Sequence, residues 1–211
     1  MTEPLTQNYF EFFTLPRKLT LDVPALEKQF YTLSRRLHPD RFAGKPAAEQ
    51  EAALAQSSLL NDAYRTLKDP ITRTQYLLTL EGIQLEEQSK AATDAARASG
   101  QQKKQVVPPE LLEEVFELNM QLAEMRAAKQ MGESPDDEPE LRNNLVAAKE
   151  NFDQKMVETQ AELESLWLKW DAALDAGDSA AQTAIRDALV VLLNKRTYLR
   201  NLVRDVNEAL E

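Results

Sequence analysis

The chain has 211 residues, 43% of them apolar, enough to bury the core of one large domain or two small ones. A formal net charge of −10 argues against a generic nucleic-acid or anionic-membrane binder, because both need a basic surface. The absence of cysteine excludes a disulfide framework, a thiol nucleophile and a thiolate metal site in this chain.

No apolar run approaches the ~18 residues of a membrane span. The opening stretch "MTEPLTQNYFEFFTLP" lacks the basic and long apolar regions of a signal peptide, so a soluble, cytoplasmic protein is expected. Charge is unevenly placed: residues 1–80 carry 10 Lys and Arg against 9 Asp and Glu, whereas residues 81–211 carry 15 against 26. The acidity belongs to the C-terminal part.

The five glycines, Gly44, Gly82, Gly100, Gly132 and Gly177, fall where apolar patterns lapse and mark joints between helices. Alternating β-branched runs are absent, so almost no sheet is expected. A short segment, "NYFEFF", precedes a turn at Pro16. Asp22 is placed to cap the next helix, with Pro24 in its first turn. Leu26, Phe30, Leu33 and Leu37 then form one apolar stripe, while Lys28, Tyr31, Thr32, Arg35 and Arg36 fall on the opposite side. The helix has an apolar inner face and a basic outer one.

Pro39 ends that helix, since proline disfavours the helical conformation in the preceding residue and has no N–H. After the loop "HPDRFAGK" a second, antiparallel helix begins near Pro46 with the stripe Ala53, Ser57, Leu60, Tyr64 and Leu67. "KDP" breaks it at Pro70, and "ITRTQYLLTL" predicts a shorter helix up to Gly82. Residues 81–107 are poor in large apolar side chains and read as a linker.

Beyond Pro108 and Pro109 a helix runs to about residue 130, followed by the acidic loop "GESPDDEPE". A long helix carries Leu141, Leu145, Ala148, Phe152, Met156, Leu163, Leu166 and Trp170, and "DAGDS" turns the chain at Gly177. The last helix carries Ile185, Leu189, Leu192, Leu199, Leu202, Val206 and Leu210. Three helices with modest connections predict an antiparallel bundle.

His38 is the single histidine. A nucleophilic role would need a reachable nucleophile, an orienting carboxylate and oxyanion donors, and no glycine-rich donor loop accompanies Ser34 and Asp40. The nearby carboxylates do not form a metal-ligand spacing. Two readings remain: ordinary helix-end and turn chemistry, or a docking loop for an acidic partner, formed with the basic helix face and Arg41.

"FYTLSRRLHPDRF" followed by "LLNDAYRTLKDPITRTQYLL" resembles a J-domain, with its basic helix, His-Pro-Asp signature and Asn-x-Ala-Tyr helix. The forms "NYFEFFTLP", "LDVPALEKQFYTLSRRLHPDRFAG", "RTQYLLTLEG" and "PPELLEEVFELNMQLAEM" are similar to the HscB family of co-chaperones in iron–sulfur cluster assembly. The resemblance implies an all-α protein: a J-domain over 1–80, the linker over 81–107 and a client-binding three-helix bundle over 108–211. It further implies that the chain does no covalent chemistry and stimulates the ATPase of an HscA-type heat-shock chaperone. His38, Pro39 and Asp40 match the signature, and Lys28, Arg35, Arg36 and Arg41 supply the positive surface.

The implied client is an IscU-type scaffold. On the helix beginning near residue 110, Leu111, Val115, Leu118, Leu122 and Met125 form a core stripe. A second stripe of Leu112, Phe116 and Met120 is bordered by Glu113, Glu117 and Glu124. Such a broad apolar face serves either as core or as an interface anchor rimmed by carboxylates. The resemblance places scaffold contacts at Leu112, Phe116, Glu117, Met120 and Glu124, although Glu113 stands where the family tends to have an apolar residue and Met120 where it tends to have a carboxylate. Tyr198, in "KRTYLRNL", is either a further aromatic contact or a core tyrosine. The cysteine-rich metal module of some relatives is absent, so neither zinc nor another cofactor is expected. The alternatives are a J-domain co-chaperone for a different client and a non-catalytic helical adaptor; the basic helix face speaks against the latter.

Overall fold

The computed structural model describes residues 8–83, 85, 107–132 and 138–211. Among them there is no strand; the helices are α1 (Tyr9–Phe12), α2 (Val23–Leu37), α3 (Ala47–Lys68), α4 (Pro70–Leu80), α5 (Leu112–Gln130), α6 (Pro139–Ala176) and α7 (Ser179–Leu210). Short 3₁₀ turns over Pro39–Phe42 and Pro109–Leu111 complete the described elements. The linker expected over 81–107 falls almost wholly outside the described residues, as does most of the loop after Gly132.

The helix starts follow capping chemistry. The Asn8 side chain accepts from the Glu11 N–H at 3.0 Å, Asp22 from the Ala25 N–H at 3.0 Å, and Asp69 from the Thr72 N–H at 2.8 Å. Pro24 and Pro70 stand in first turns, where a missing N–H leaves no helical bond unmade. Between α6 and α7 the reversal takes only two residues. Gly177 adopts φ 66°, and the Asp178 N–H reaches back to the Ala173 carbonyl at 3.0 Å. The Asp178 carboxylate then caps α7 by accepting from the Ala181 N–H at 2.9 Å.

The chain forms two compact units, Met1–Leu85 with Leu166–Asp187, and Glu86–Ser165 with Ala188–Glu211. In the first, α2 and α3 pack as a hairpin over Leu26, Ala53, Leu60, Ala63 and Leu67, joined by buried Phe10, Phe13, Leu19, Leu77 and Leu78. Stacked aromatics tie further elements together: Phe30 lies on Tyr64 with ring centroids 4.2 Å apart, and Tyr9 on Tyr76 at 4.3 Å.

The α6–α7 hairpin end belongs to this unit, whereas the sequence assigns all of 108–211 to the terminal bundle. The physical reason is a set of polar bonds to the segment before α2. The Trp170 indole N–H donates to the Arg17 carbonyl at 2.9 Å. Asp171, 7% exposed, accepts from the Leu19 N–H at 2.7 Å, from the Thr20 N–H at 3.0 Å and from the Thr20 hydroxyl. The Leu19 carbonyl in turn accepts from Arg73 Nε at 3.0 Å and Nη2 at 2.7 Å. Burial pushes the pKa of Arg73 below its ordinary value, while Asp69 and Asp171 act in the opposite direction.

In the second unit Leu111, Val115, Leu118, Leu122 and Met125 of the α5 region pack against Leu141, Leu145 and Phe152 of α6 and Leu199, Leu202 and Val206 of α7. This is the three-helix bundle that the periodicity predicts. Peripheral ion pairs, Glu114 with Lys155 at 3.2 Å and Glu110 with Lys195 at 3.5 Å, flank the core.

Candidate functional site

Two surfaces are built by these units, one on each. On the first, His38 is the C-cap of α2, with φ −61° and ψ 127°, the extended conformation that a following proline favours. Its Nδ1 lies 3.3 Å from the Asp40 backbone nitrogen, placed to accept its N–H. The Asp40 carboxylate is 3.5 Å from the same Nδ1, so the two side chains share one short turn. Both are well exposed, at 55% and 89% of the side chain. A group presented in this way faces solvent and not the chain's own interior.

The turn is held from its far side. The Arg41 N–H donates to the His38 carbonyl at 3.0 Å, and its guanidinium donates to the Arg35 carbonyl at 3.2 Å, closing Pro39–Phe42 onto the end of α2. Lys28 and Arg35 line a shallow surface groove of about 480 Å³ with Pro24, Glu27, Tyr31 and Thr32. Arg36 is exposed on α2 but does not line it. Glu27 is drawn toward α3 by the Tyr64 hydroxyl, 3.2 Å from its carboxylate. Tyr31, 55% exposed, adds an aromatic surface between Lys28 and Arg35. Its position on the basic face was legible in the helical period; its part in a groove was not.

On the second unit the two stripes of α5 separate. Leu111, Val115, Leu118, Leu122 and Met125 are buried, while Leu112, Phe116 and Met120 are 55%, 69% and 60% exposed. They form an outward apolar ridge, and Glu113, Glu117 and Glu124 beside it are exposed. Large apolar side chains in a row on a surface are an uncommon expense of solubility and point to an interface. Tyr198, by contrast, is 7% exposed and packs in the bundle core. Burial, with a smaller contribution from Asp205, pushes its phenol pKa above the ordinary value. The structure therefore places it as a core tyrosine, in one cluster with Leu111 and Val115 and not among the exposed side chains of the ridge.

Among the described residues no group of three or more His, Asp or Glu side chains is arranged to hold a metal ion, and no helix is long and apolar enough to cross a membrane. The candidate residues thus form two exposed surfaces, a basic one with the His38 turn and an apolar one rimmed by Glu117 and Glu124.

Comparison with known proteins bears on the domain and the fold. Residues 8–76 match the DnaJ domain family. The chain is thus a J-domain protein, of the class of co-chaperones that work with heat-shock chaperone ATPases. Over 95% of its length, and 96% of the other chain, it superimposes on chaperone HscB from Vibrio cholerae with a TM-score of 0.55 and 27% identity. The human co-chaperone HscB shares the fold, at a TM-score of 0.55 and 23% identity over 99% of this chain and 84% of that one. The chain is an HscB-like J-domain co-chaperone.

Proposed function

We propose that this co-chaperone stimulates ATP hydrolysis by an HscA-type heat-shock chaperone and delivers an IscU-type scaffold protein to it during iron–sulfur cluster assembly and transfer, in the cytoplasm. His38, Pro39 and Asp40, with Lys28, Arg35, Arg36 and Arg41, dock on the ATPase. The chain supplies no reacting group; it binds one conformational state of the chaperone better than another, and that differential affinity shifts the chaperone's equilibrium. Leu112, Phe116, Glu117, Met120 and Glu124 hold the scaffold.

The observation that most supports the client assignment is the exposed ridge itself: Leu112, Phe116 and Met120 contribute nothing to the bundle core, so their burial is left for a partner. The test is a steady-state ATPase titration of an HscA-type chaperone with the full chain, with and without an IscU-type scaffold. Hydrolysis is expected to rise with the chain alone and to rise further with scaffold present. No rise with the chain alone refutes the chaperone assignment; no scaffold enhancement, with no scaffold complex detected by titration calorimetry, refutes the client assignment.

A further inference from the structure

Beside the apolar ridge lies a polar cleft of about 310 Å³ between α5 and α6, lined by Glu114, Glu117, Leu118 and Gln121 on one side and Asn144, Ala147, Ala148, Asn151 and Phe152 on the other. Ala147 and Ala148 leave room on the α6 side, because their side chains end at Cβ. Its polar lining is two carboxylates and three amides, with no lysine or arginine among the lining residues.

Two acceptors on the α5 wall lack a donor. Lys155 approaches Oε1 of Glu114 at 3.2 Å, but Oε2 of Glu114 and Oε1 of Gln121 are buried with no hydrogen-bond partner. Buried acceptors of this kind are costly unless a donor arrives, and a carboxylate more so than an amide. Lysine and arginine side chains are the groups that carry several donors and no acceptor.

Position supplies the second argument. Turning about α5 at about 100° per residue, the ridge of Leu112, Phe116 and Met120 is followed by Glu117, then by Gln121 and Glu114, then by buried Leu118. Glu117 thus stands between ridge and cleft, and a protein resting on the ridge has the cleft within side-chain reach.

We propose that this cleft receives a lysine or arginine side chain of the client protein, which gives the apolar ridge its charge specificity. The proposal rests on the reading of the ridge as the client surface. The cation enters between Glu114 and Glu117, donates to the amide oxygens of the walls and leaves its aliphatic stem against Ala147 and Ala148.

The experiment measures scaffold affinity by titration calorimetry with full-length variants checked for helicity. Ala147→Phe fills the cleft without touching the ridge or any charge, and Asn151→Lys tethers an ammonium at its wall; each is expected to raise Kd about tenfold. Alanine replacement of each exposed Lys and Arg of the scaffold is expected to reveal one position whose loss weakens the wild-type complex by a similar factor and adds nothing against Ala147→Phe. Unchanged affinity for both cleft variants, or the lack of any such coupled position, overturns the proposal and leaves a cleft that holds only water. Leu112→Ser with Phe116→Ser separates the two readings: if that variant loses scaffold while the cleft variants keep it, the ridge stands and the cleft proposal falls. If the ridge variant also binds normally, the client surface itself lies elsewhere.

Discussion

Replacing Asp171 by alanine tests whether the hairpin end of α6–α7 is an integral part of the first unit. The Leu19 N–H, at a residue with 0% exposure, loses its acceptor and cannot turn to water. That alone costs about 1–3 kcal/mol. The Thr20 N–H and hydroxyl, at an exposed residue, can be rehydrated, so the loss of their bonds to the carboxylate adds about 1 kcal/mol more. A total near 3 kcal/mol, at roughly 4 °C per kcal/mol for a unit of this size, predicts a melting temperature lowered by about 12 °C. Asp175→Ala is the matched control. Its carboxylate is just as close to a donor, 2.7 Å from Lys18, but 63% exposed, and a solvated surface pair of that kind contributes little to stability. Both tryptophans, Trp167 and Trp170, lie in the first unit and are buried, so thermal melting followed by tryptophan fluorescence reports on that unit. Amide hydrogen exchange at Leu19 should accelerate in the Asp171 variant alone. If Asp171→Ala melts within 1 or 2 °C of wild type, or if Asp175→Ala costs as much, the buried carboxylate is not what joins Leu166–Asp187 to this unit.

His38→Gln should leave the helical signal and melting curve near wild type, since the side chain is exposed, yet abolish stimulation of the chaperone's ATPase; full stimulation by the variant refutes the docking role. Leu112→Ser with Phe116→Ser should weaken scaffold binding at least tenfold in calorimetry while stimulation without scaffold survives. Affinity for the chaperone should fall as salt rises from low to physiological strength, because Lys28, Arg35, Arg36 and Arg41 are exposed; a flat response counts against electrostatic docking. Alkaline stability provides a fourth check. Tyr198 has a folded pKa raised above the ordinary 10.0, so between the two values the folded state binds more protons than the unfolded. Its contribution is therefore full below pH 10 and lost as pH rises through the folded value. Tyr198→Phe should flatten that decline in pH-dependent melts; an unchanged slope would show that the phenol is not held neutral by the fold.

The helices were legible because breaks and apolar period agree: Asp22 with Pro24, Pro70 and Gly177 mark boundaries that the structure reproduces, and the structure adds the caps of Asp69 and Asp178. Depth of burial was less legible. Of the α2 stripe only Leu26 is buried, while Phe30, Leu33 and Leu37 stay partly exposed, since period gives the angle of a side chain and not the thickness of what covers it. The Asp171 to Leu19 contact spans 152 residues, and no local pattern encodes it. It did leave a trace. Arg73 sits four residues before Leu77 on a buried stripe, and Asp171 adjoins Trp170; a charge that is buried with such a stripe needs a partner.

The same limit separates the two expectations for the client surface. Leu112, Phe116 and Tyr198 all satisfied a helical period, and each had a core reading and an interface reading. On α5 the exposed stripe lies beside Glu113, Glu117 and Glu124, which cannot be buried cheaply, so the stripe next to them is left facing outward and the opposite stripe takes the core. Around Tyr198 the neighbours are Leu199 and Leu202, with no carboxylate row, and the phenol is drawn into the bundle. The charged rim therefore carried the information that the apolar residues alone did not. For the proposed client the same rim sets a requirement: an apolar patch for Leu112, Phe116 and Met120, and positive charge beside it for Glu117 and the cleft behind it.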